Sequence, residues 1–336
     1  MATVWFVIIA VALAVYVVLD GFDLGAGFVS AFVARTSDER KQVREAIGPF
    51  WDGNEVWLLA GGGVLFLAFP KLYAASFSGF YLPLMIVLWL LILRGIAIEF
   101  GSHMESPLWA GFWDTVFAGA SMLLTVFFGA ALGNVVRGVP LDEHGEFFLP
   151  LWTNFGVDGP ELGILDWYTV IVAVAAAAAL AWHGALWVNY RTSGALRERT
   201  EKFARRLFPA MLLLTAVVTA SSLTVQPLVT PTPLAALTAV GLWLGSNPRR
   251  ELRAFLGSSL YLAGMLASAA ASLYPTVLPS RPHPQFALTI RNAQSSEYAL
   301  SAAIYWWVPA LLLTTGYFVF LYRRFAGKIV TGSGGE

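Results

Sequence analysis

The sequence contains no cysteine, only four histidines and few charged residues. Without cysteine the chain can form no disulfide, no thiolate metal site and no cysteine nucleophile. Haem or metal ligation is therefore restricted to the four histidines, the carboxylates and six methionines. Basic and acidic residues are equal at 21 each, so the net charge is zero, which argues against nucleic acid as a partner.

Apolar residues, by contrast, make up 57% of the chain, and its mean hydropathy is +0.67. A soluble core of 336 residues cannot hide that much apolar surface, so lipid must be the solvent. The first apolar run starts at Val4, with no basic segment before it and no small-residue cleavage site after it. We therefore expect a retained membrane helix rather than a signal peptide.

Nine apolar runs are long enough to span a bilayer when breaks are placed at clusters of charge, glycine and proline. The predicted spans cover residues 4–34, 49–68, 74–98, 113–136, 164–189, 206–224, 231–247, 254–274 and 301–322. These runs are continuous rather than alternating, which argues against the strands of a membrane barrel. The expected fold class is an all-α polytopic membrane protein with about nine transmembrane helices.

Lysine and arginine are distributed unevenly among the predicted connections. With nine helices, seventeen of the 21 basic residues fall on one side, and only Lys71, Arg137, Arg281 and Arg291 lie on the other. The positive-inside rule then places the N-terminus outside and the C-terminus in the cytoplasm. Eight or ten helices would spoil this partition, so the odd count has support beyond hydropathy.

Two basic stretches begin Arg-Thr-Ser, at Arg35 and Arg191, which either marks two four-helix bundles plus one peripheral helix or arises by chance. On the first interpretation, residues 1–140 are the first bundle and residues 164–275 the second, with an outer connecting segment at 141–163 between them. Residues 276–336 contain a second outer segment, the ninth helix and a cytoplasmic tail. The outer segments are expected to be ordered caps rather than a domain.

Ionisable side chains at membrane depth are costly and usually functional. Asp20 and Asp23 are three residues apart in the first helix, so they share one helical face. Asp52 lies in the first turn of the second helix, where the macrodipole favours a carboxylate. Glu55 follows Asp52 in the second helix, and Arg94 and Glu99 come at the end of the third helix, so the topology brings all six to the cytoplasmic leaflet. This grouping predicts a proton path.

A structural interpretation of the same residues stays open. Arg94 could simply neutralise one or two carboxylates as an ion pair between helices, and Glu55 and Glu99 could be interfacial. The glycines beside Asp20 and Asp23 favour close helix packing. A functional role is therefore expected chiefly for Asp52.

Trp51 and Trp57 flank the same turn of the second helix, and three consecutive glycines follow. Wide aromatic rings beside glycines could line an apolar path for a small gas, or they could be ordinary packing. His183 is the only histidine inside a predicted span, and a bis-histidine haem site needs two facing ligands. We expect His183 to be a structural histidine.

Three blocks stand out from this apolar background: DGFDLG at 20–25, WDGNEVWL at 51–58 and LRG at 93–95. Shorter blocks follow in order: FP at 69–70, YA at 73–74, FSGFY at 77–81, FG at 128–129, GN at 133–134, GVP at 138–140, YP at 274–275 and LTI at 288–290. Together these blocks resemble subunit II of the cytochrome bd quinol oxidases, over nearly the whole chain.

The resemblance implies a nine-helix subunit that pairs with a similar subunit I, often with one or two small single-helix accessory subunits. Subunit I carries the b-type haems, the haem d and the quinol site in that family. The complex oxidises quinol and reduces O2 to water with protons taken from the cytoplasm, across a bacterial inner membrane. Whether a structural quinone or lipid sits in subunit II is left open.

By position, Asp52 resembles the family's acid on the proton path, and Trp57 resembles the aromatic residue at the mouth of the O2 route. Glu55 is a departure, since the family also has glutamine there, so the resemblance gives it no firm role. The alternative function is a secondary transporter that uses Asp20, Asp23 and Asp52 as coupling carboxylates. The WDGN block at 51–54 favours the oxidase.

Overall fold

The structure is a computed structural model that describes residues 1–101, 103–104, 106–157, 161–227 and 233–329. The described chain forms eleven α-helices, one short 3-10 turn and a two-stranded antiparallel hairpin. The elements are α1 (Ala2–Val33), α2 (Ser37–Ile47), α3 (Trp51–Ala68), α4 (Pro70–Gly79), α5 (Tyr81–Phe100), α6 (Pro107–Arg137), α7 (Trp167–Arg191), α8 (Gly194–Val225), α9 (Ala235–Gly245), α10 (Glu251–Leu273), β1 (Thr276–Leu278), the 3-10 turn (Pro284–Phe286), β2 (Leu288–Thr289) and α11 (Glu297–Arg324).

Seven of the described helices are long and apolar enough to cross a bilayer: α1, α5, α6, α7, α8, α10 and α11. The helices α3 and α9 correspond to the other two predicted spans. α3 has 18 residues with two acids near its start, and α9 has 11 residues. Two residues of the predicted span 231–247 lie outside the described residues. The all-α class is confirmed, and the count of nine spans stays a prediction.

The predicted third span, 74–98, was wrong as a single helix, because the chain breaks at Phe80 into α4 and α5. The φ of −99° and ψ of 23° at Phe80 leave the helical region. Pro83 follows in the first turn of α5 and has no N–H to donate to the carbonyl of Gly79. The hydrogen bond from residue 83 to residue 79 is therefore missing, although the Leu84 N–H donates to Phe80 O at 2.9 Å.

Another difference from the sequence analysis concerns the basic connections, which are helical. α2 occupies most of the first one, and α8 begins at Gly194 rather than at residue 206. The added turns of α8 are polar, so hydropathy could not detect them. Arg205 pairs with Glu201 one turn earlier, and Glu201 also lies 3.8 Å from Arg197.

The start of α2 is fixed by a capping box between Thr36 and Glu39. Glu39 also pairs with Arg199 of α8, whose Nε donates to the carbonyl oxygen of Val33 at 2.8 Å. Burial alone would raise the pKa of Glu39, but hydrogen bonds from the Arg35 backbone and from Arg199 lower it below its usual value. These contacts fasten the C-terminus of α1 to α2 and α8.

We call this end of the bundle the basic end, because it carries the arginine and lysine residues of α2, α8, the start of α10 and the tail after α11. At the opposite end, the cap end, the described parts of the outer segments join each other. The Val139 N–H donates to Pro279 O at 3.1 Å, and the Arg281 N–H donates to Val139 O at 2.9 Å. The described parts of the two segments are thus joined by backbone hydrogen bonds.

α1 and α7 cross in backbone contact at the centre of the bundle. A Cβ atom added to Gly25 would lie 1.9 Å from the carbonyl oxygen of Leu180, and one added to Gly184 would lie 2.1 Å from the Gly25 carbonyl carbon. Only glycine fits at both positions. One residue before Gly184, His183 bonds α7 to its neighbours through Val18 O at 2.9 Å and Ser258 Oγ at 2.7 Å.

We expect Gly25→Ala to destabilise the protein by about 3 kcal/mol, because overpacking against backbone cannot be relieved by a side-chain rotation. Gly119→Ala in α6 is the control, since an added Cβ there meets no atom within 4 Å. Alanine should be neutral at that position or stabilise the helix by up to about 1 kcal/mol. Thermal unfolding of the purified protein measures the effect of both substitutions. Equal unfolding midpoints for Gly25→Ala and Gly119→Ala would contradict the tight crossing of α1 and α7.

Candidate functional site

Three helices bring one arginine and three carboxylic acids together inside the bundle. Arg94 of α5 is fully buried, and its Nη1 donates to Asp20 Oδ1 of α1 at 2.6 Å. Its Nη2 donates to Glu55 Oε2 of α3 at 2.8 Å. Asp23, one turn further along α1, accepts a hydrogen bond from Asn54 Nδ2 at 2.8 Å. We call these five residues the acid cluster.

Local sequence spacing explains the geometry of the cluster. The i, i+3 spacing of Asp20 and Asp23 directs both carboxyl groups from α1 toward α3 and α5. The neighbouring residues Asn54 and Glu55 project about 100° apart around α3, because the helix has 3.6 residues per turn. Asn54 can therefore face α1 while Glu55 faces Arg94 on α5.

Charge does not balance within the cluster. The cluster holds one guanidinium, which pairs with Asp20 and Glu55, and three carboxyl groups, so full ionisation would leave two excess negative charges in a region of low dielectric. Such an excess is unfavourable, so the cluster needs added protons or contact with solvent. Asp20 and Asp23 are fully buried, whereas 25% of the Glu55 side chain is exposed. Glu55 is therefore the member closest to an exchange with water.

Several buried polar atoms in and beside the cluster have no hydrogen-bond partner in the described chain. They are Asp23 Oδ1, Arg94 Nε and the Trp57 indole nitrogen, whereas the Tyr16 hydroxyl interacts with Asp20. Buried polar groups are normally hydrogen-bonded, to protein or to ordered water. The cluster therefore has free capacity for water molecules or exchanging protons.

Arg137 at the cap end shows what a purely structural buried arginine looks like in this fold. Its Nε, Nη1 and Nη2 all donate, to Gly138 O at 3.1 Å, Gly163 O at 2.9 Å and Asn134 Oδ1 at 2.8 Å. It also pairs with Asp166 at the start of α7. No nitrogen of this guanidinium is left without a partner, in contrast to Arg94.

Of the five acids and bases predicted for the proton path, Asp20, Asp23 and Arg94 meet in the cluster. Asp52 and Glu99 do not reach it, and both side chains are exposed at the basic end. Asn54 was missed from sequence, because it carries no charge although it belongs to the conspicuous 51–58 block. Glu55 was part of the predicted grouping but was given no firm role on the proton path. The signal for Glu55 was its i, i+3 spacing from Asp52.

The two tryptophans of α3 lie in different surroundings. Trp57 is buried, and its ring centroid lies 6.0 Å from that of Phe318 in α11. Trp51 is half-buried and lies over Gly95 of α5, where an added Cβ would sit 3.5 Å from the indole ring. The glycines at 62–63 are open, since an added Cβ meets no described atom within 4 Å.

The histidines of this chain do not fit a haem. Both ring nitrogens of the buried His183 are hydrogen-bonded, so neither is free to ligate iron. His103, His144 and His283 are exposed in connections between helices. No pair of facing imidazoles exists in the described chain, so we derive no electron-transfer step through these residues.

The chain matches the family described as cytochrome bd terminal oxidase subunit II over residues 1–325. It belongs to this family. Similar proteins include the cytochrome bd ubiquinol oxidase subunit 2 of Bacillus subtilis, which is 30% identical over 88% of this chain and 87% of that protein. The cytochrome bd-I ubiquinol oxidase subunit 2 of Escherichia coli K12 is 28% identical, and the probable cytochrome oxidase subunit 2 of Haemophilus influenzae is 29% identical. Each alignment covers 97% of this chain and 94% of the relative.

The fold agrees with that of a chain in the structure of bd oxidase from Geobacillus thermodenitrificans. The TM-score is 0.75 at 19% identity, covering 96% of this chain and 98% of that one. The bd oxidase subunit II described here is thus part of a respiratory oxidoreductase complex that has haem cofactors and contains subunit I. It is a multi-pass protein of the bacterial inner membrane. The transporter alternative is not supported.

Arg94→Gln should destabilise the oxidase complex by about 3–5 kcal/mol, because it leaves buried Asp20 without a counter-charge. Adding Asp20→Asn should restore part of this loss. The exposed Arg205–Glu201 pair supplies the control Arg205→Gln, with an expected loss below about 1 kcal/mol. Thermal unfolding of the purified complex provides the comparison. Similar losses for the two arginine variants would show that the buried pair does not hold the helices.

Proposed function

We propose that this bd oxidase subunit II conducts protons from the basic end to the acid cluster, on the way to O2 reduction in subunit I. The observation that supports this proposal is the excess of buried carboxyl groups around Arg94, with one oxygen of Asp23 left unpartnered. A structural ion pair needs one acid for each base. This cluster has three acids, two of them buried beyond the reach of bulk water.

The proposed route follows the gradient of exposure along α3. Asp52 is exposed at the basic end, and Glu55 lies one turn deeper on the same side of the helix. Glu55 contacts Arg94, which contacts Asp20, whereas Asp23 lies one turn nearer the basic end, because α1 runs toward that end. Protons collected at Asp52 would pass to Glu55 and then to the buried acids. Glu99 lies at the same end and adds to the local negative charge that attracts protons.

Proton transfer from the basic end toward the buried acids requires the basic end to face the cytoplasm. The concentration of lysine and arginine at that end supports such an orientation under the positive-inside rule. The N-terminus then lies outside and the C-terminus inside, with nine membrane-crossing segments. The division into bundles at 1–140 and 164–275 is part of the same proposal. The contact of α1 with α7 at Gly25 and Gly184 would form their interface.

We further propose that subunit I binds the haem b and haem d groups and the quinol. The occupied ring nitrogens of His183 support this division of labour. Subunit II then stabilises its haem-bearing partner and supplies access for protons and O2. Small single-helix accessory subunits are expected from family resemblance alone.

Asp52→Asn keeps the size of the side chain but cannot exchange a proton, so it separates proton transfer from packing. Quinol oxidation per haem should slow by about tenfold or more, most strongly at high pH where protons are scarce. Glu55→Gln should act similarly. The matched control is Asp38→Asn, an exposed acid in the first turn of α2. Oxygen consumption from pH 6 to about 9, normalised to the haem spectrum, gives the comparison.

Normal turnover of both Asp52→Asn and Glu55→Gln across that pH range would refute the route. Loss of haem from either variant, with normal turnover for the haem that remains, would assign a structural role instead. A slow Asp38→Asn variant would mean that general surface charge, rather than this path, controls the rate.

Trp57 and Trp51 are proposed to border an apolar route for O2, with the open glycines of α3 beside them. Trp57→Ala should change the rate of O2 binding at the haem by about tenfold while haem content stays normal, because the indole fills the space through which a diffusing gas would pass. Trp243→Ala, which removes an exposed indole from α9, is the control. Flash photolysis of the CO complex in the presence of O2 measures this rate. An unchanged rate would leave Trp57 with a packing role.

A further inference from the structure

The acid cluster is connected to a fourth helix by a chain of hydrogen bonds. The Tyr322 hydroxyl of α11 donates to Asn54 Oδ1 at 3.3 Å. The same amide donates through Nδ2 to Asp23 Oδ2 at 2.8 Å and approaches Leu19 O at 3.4 Å. Tyr322 is half-buried, so this chain extends from near the surface of the basic end to a fully buried acid.

These contacts select one orientation of the Asn54 amide. A flipped amide would point its oxygen at two acceptors, the Asp23 carboxylate and the Leu19 carbonyl, and its NH2 at the Tyr322 hydroxyl. In the observed orientation each amide atom has a partner of the right kind. Asp23 Oδ2 is thereby held, while Asp23 Oδ1 stays without a partner.

The Tyr322 ring is itself fixed by stacking. Its centroid lies 4.6 Å from that of Phe50 at an interplanar angle of 24°, and 6.2 Å from that of Phe318. Phe50 is the N-cap residue of α3, so the stack joins α11 to the first turn of the helix that carries Asn54. α11 otherwise has only Leu300 and Leu321 buried within this chain.

The segment after α11 adds a second attachment at the end of α7. Arg191 Nη1 donates to Phe325 O at 2.5 Å and also to Gly327 O, and the Ile329 N–H donates to Arg191 O at 2.8 Å. The guanidinium carbon also lies 5.6 Å from the centroid of the Phe50 ring. We call these contacts the tail clasp. They hold the end of α11 beside Phe50 and therefore hold Tyr322 near Asn54.

We propose that Tyr322 is a positioning residue for proton transfer, which acts through Asn54 to keep Asp23 oriented with one oxygen free. The proposal rests on the function assigned above to the acid cluster. The amide is not itself a carrier of protons. It fixes the carboxyl group of Asp23, and Tyr322 with the tail clasp fixes the amide.

Tyr322→Phe tests this idea, because it removes the hydroxyl and keeps the stacked ring. Turnover per haem should fall about threefold to tenfold, the loss expected for one neutral hydrogen bond in a transfer path, and its pH profile should shift. Infrared difference spectra should show a displaced carboxyl band that Asp23→Asn removes. Tyr317→Phe on the same helix, half exposed to the surroundings, should leave rate and band unchanged.

Arg191→Lys is a second variant, which weakens the tail clasp without touching the cluster. It should shift the same infrared band in the same direction, whereas Arg324→Lys at the exposed end of α11 should not.

If Tyr322→Phe changes neither the band nor the turnover, the proposal for Tyr322 is overturned. The proton path itself would still stand in that case if Asp52→Asn and Glu55→Gln are slow. Lower haem content with normal turnover per haem would also overturn the proposal for Tyr322, in favour of a structural tyrosine. If the band moves but none of the acid variants alters turnover, the proposed path fails and the proposal falls with it.

Discussion

The charge of Arg94 constrains the arrangement of α1, α3 and α5 more than any other single group. A guanidinium inside a bundle is strongly unfavourable unless acids from other helices meet it. Asp20 can do so because α1 lies deep in the bundle, and α1 can lie there because Gly25 allows backbone contact with α7. The close packing at Gly25 and the pairing of Arg94 with Asp20 therefore depend on each other.

Two buried arginines in the same chain show how differently such charges can be used. Arg137 is enclosed by carbonyl oxygens and Asp166 at the cap end, with every nitrogen bonded. Arg94 meets more carboxyl groups than it can neutralise, and its Nε has no partner. A buried group whose hydrogen bonds are all made forms a rigid contact, whereas a group with an unmade hydrogen bond leaves room for the exchange of protons or water. The buried arginine at the cap end is thus fully hydrogen-bonded, whereas the buried arginine of the acid cluster is not.

The sequence alone predicted the long helices well, because a long continuous apolar run indicates a membrane-spanning helix regardless of which helices pack against it. It also brought Asp20, Asp23 and Arg94 together, since topology fixes which helix ends share a leaflet. It did not predict the break at Phe80, which depends on hydrogen-bond details within one turn. Nor could it find the pairing of Asn54 with Tyr322, because the two residues are 268 positions apart and neither forms a periodic pattern.

That long separation has a consequence for biosynthesis. α3 leaves the ribosome early, and Tyr322 follows only after all the intervening helices have been made. The ion pairs of Arg94 can form among the first helices, but the amide of Asn54 gains its hydroxyl partner last. The hydrogen bond from Tyr322 can form only after α11 has packed against α3, so it is a late contact in the synthesis of the described chain.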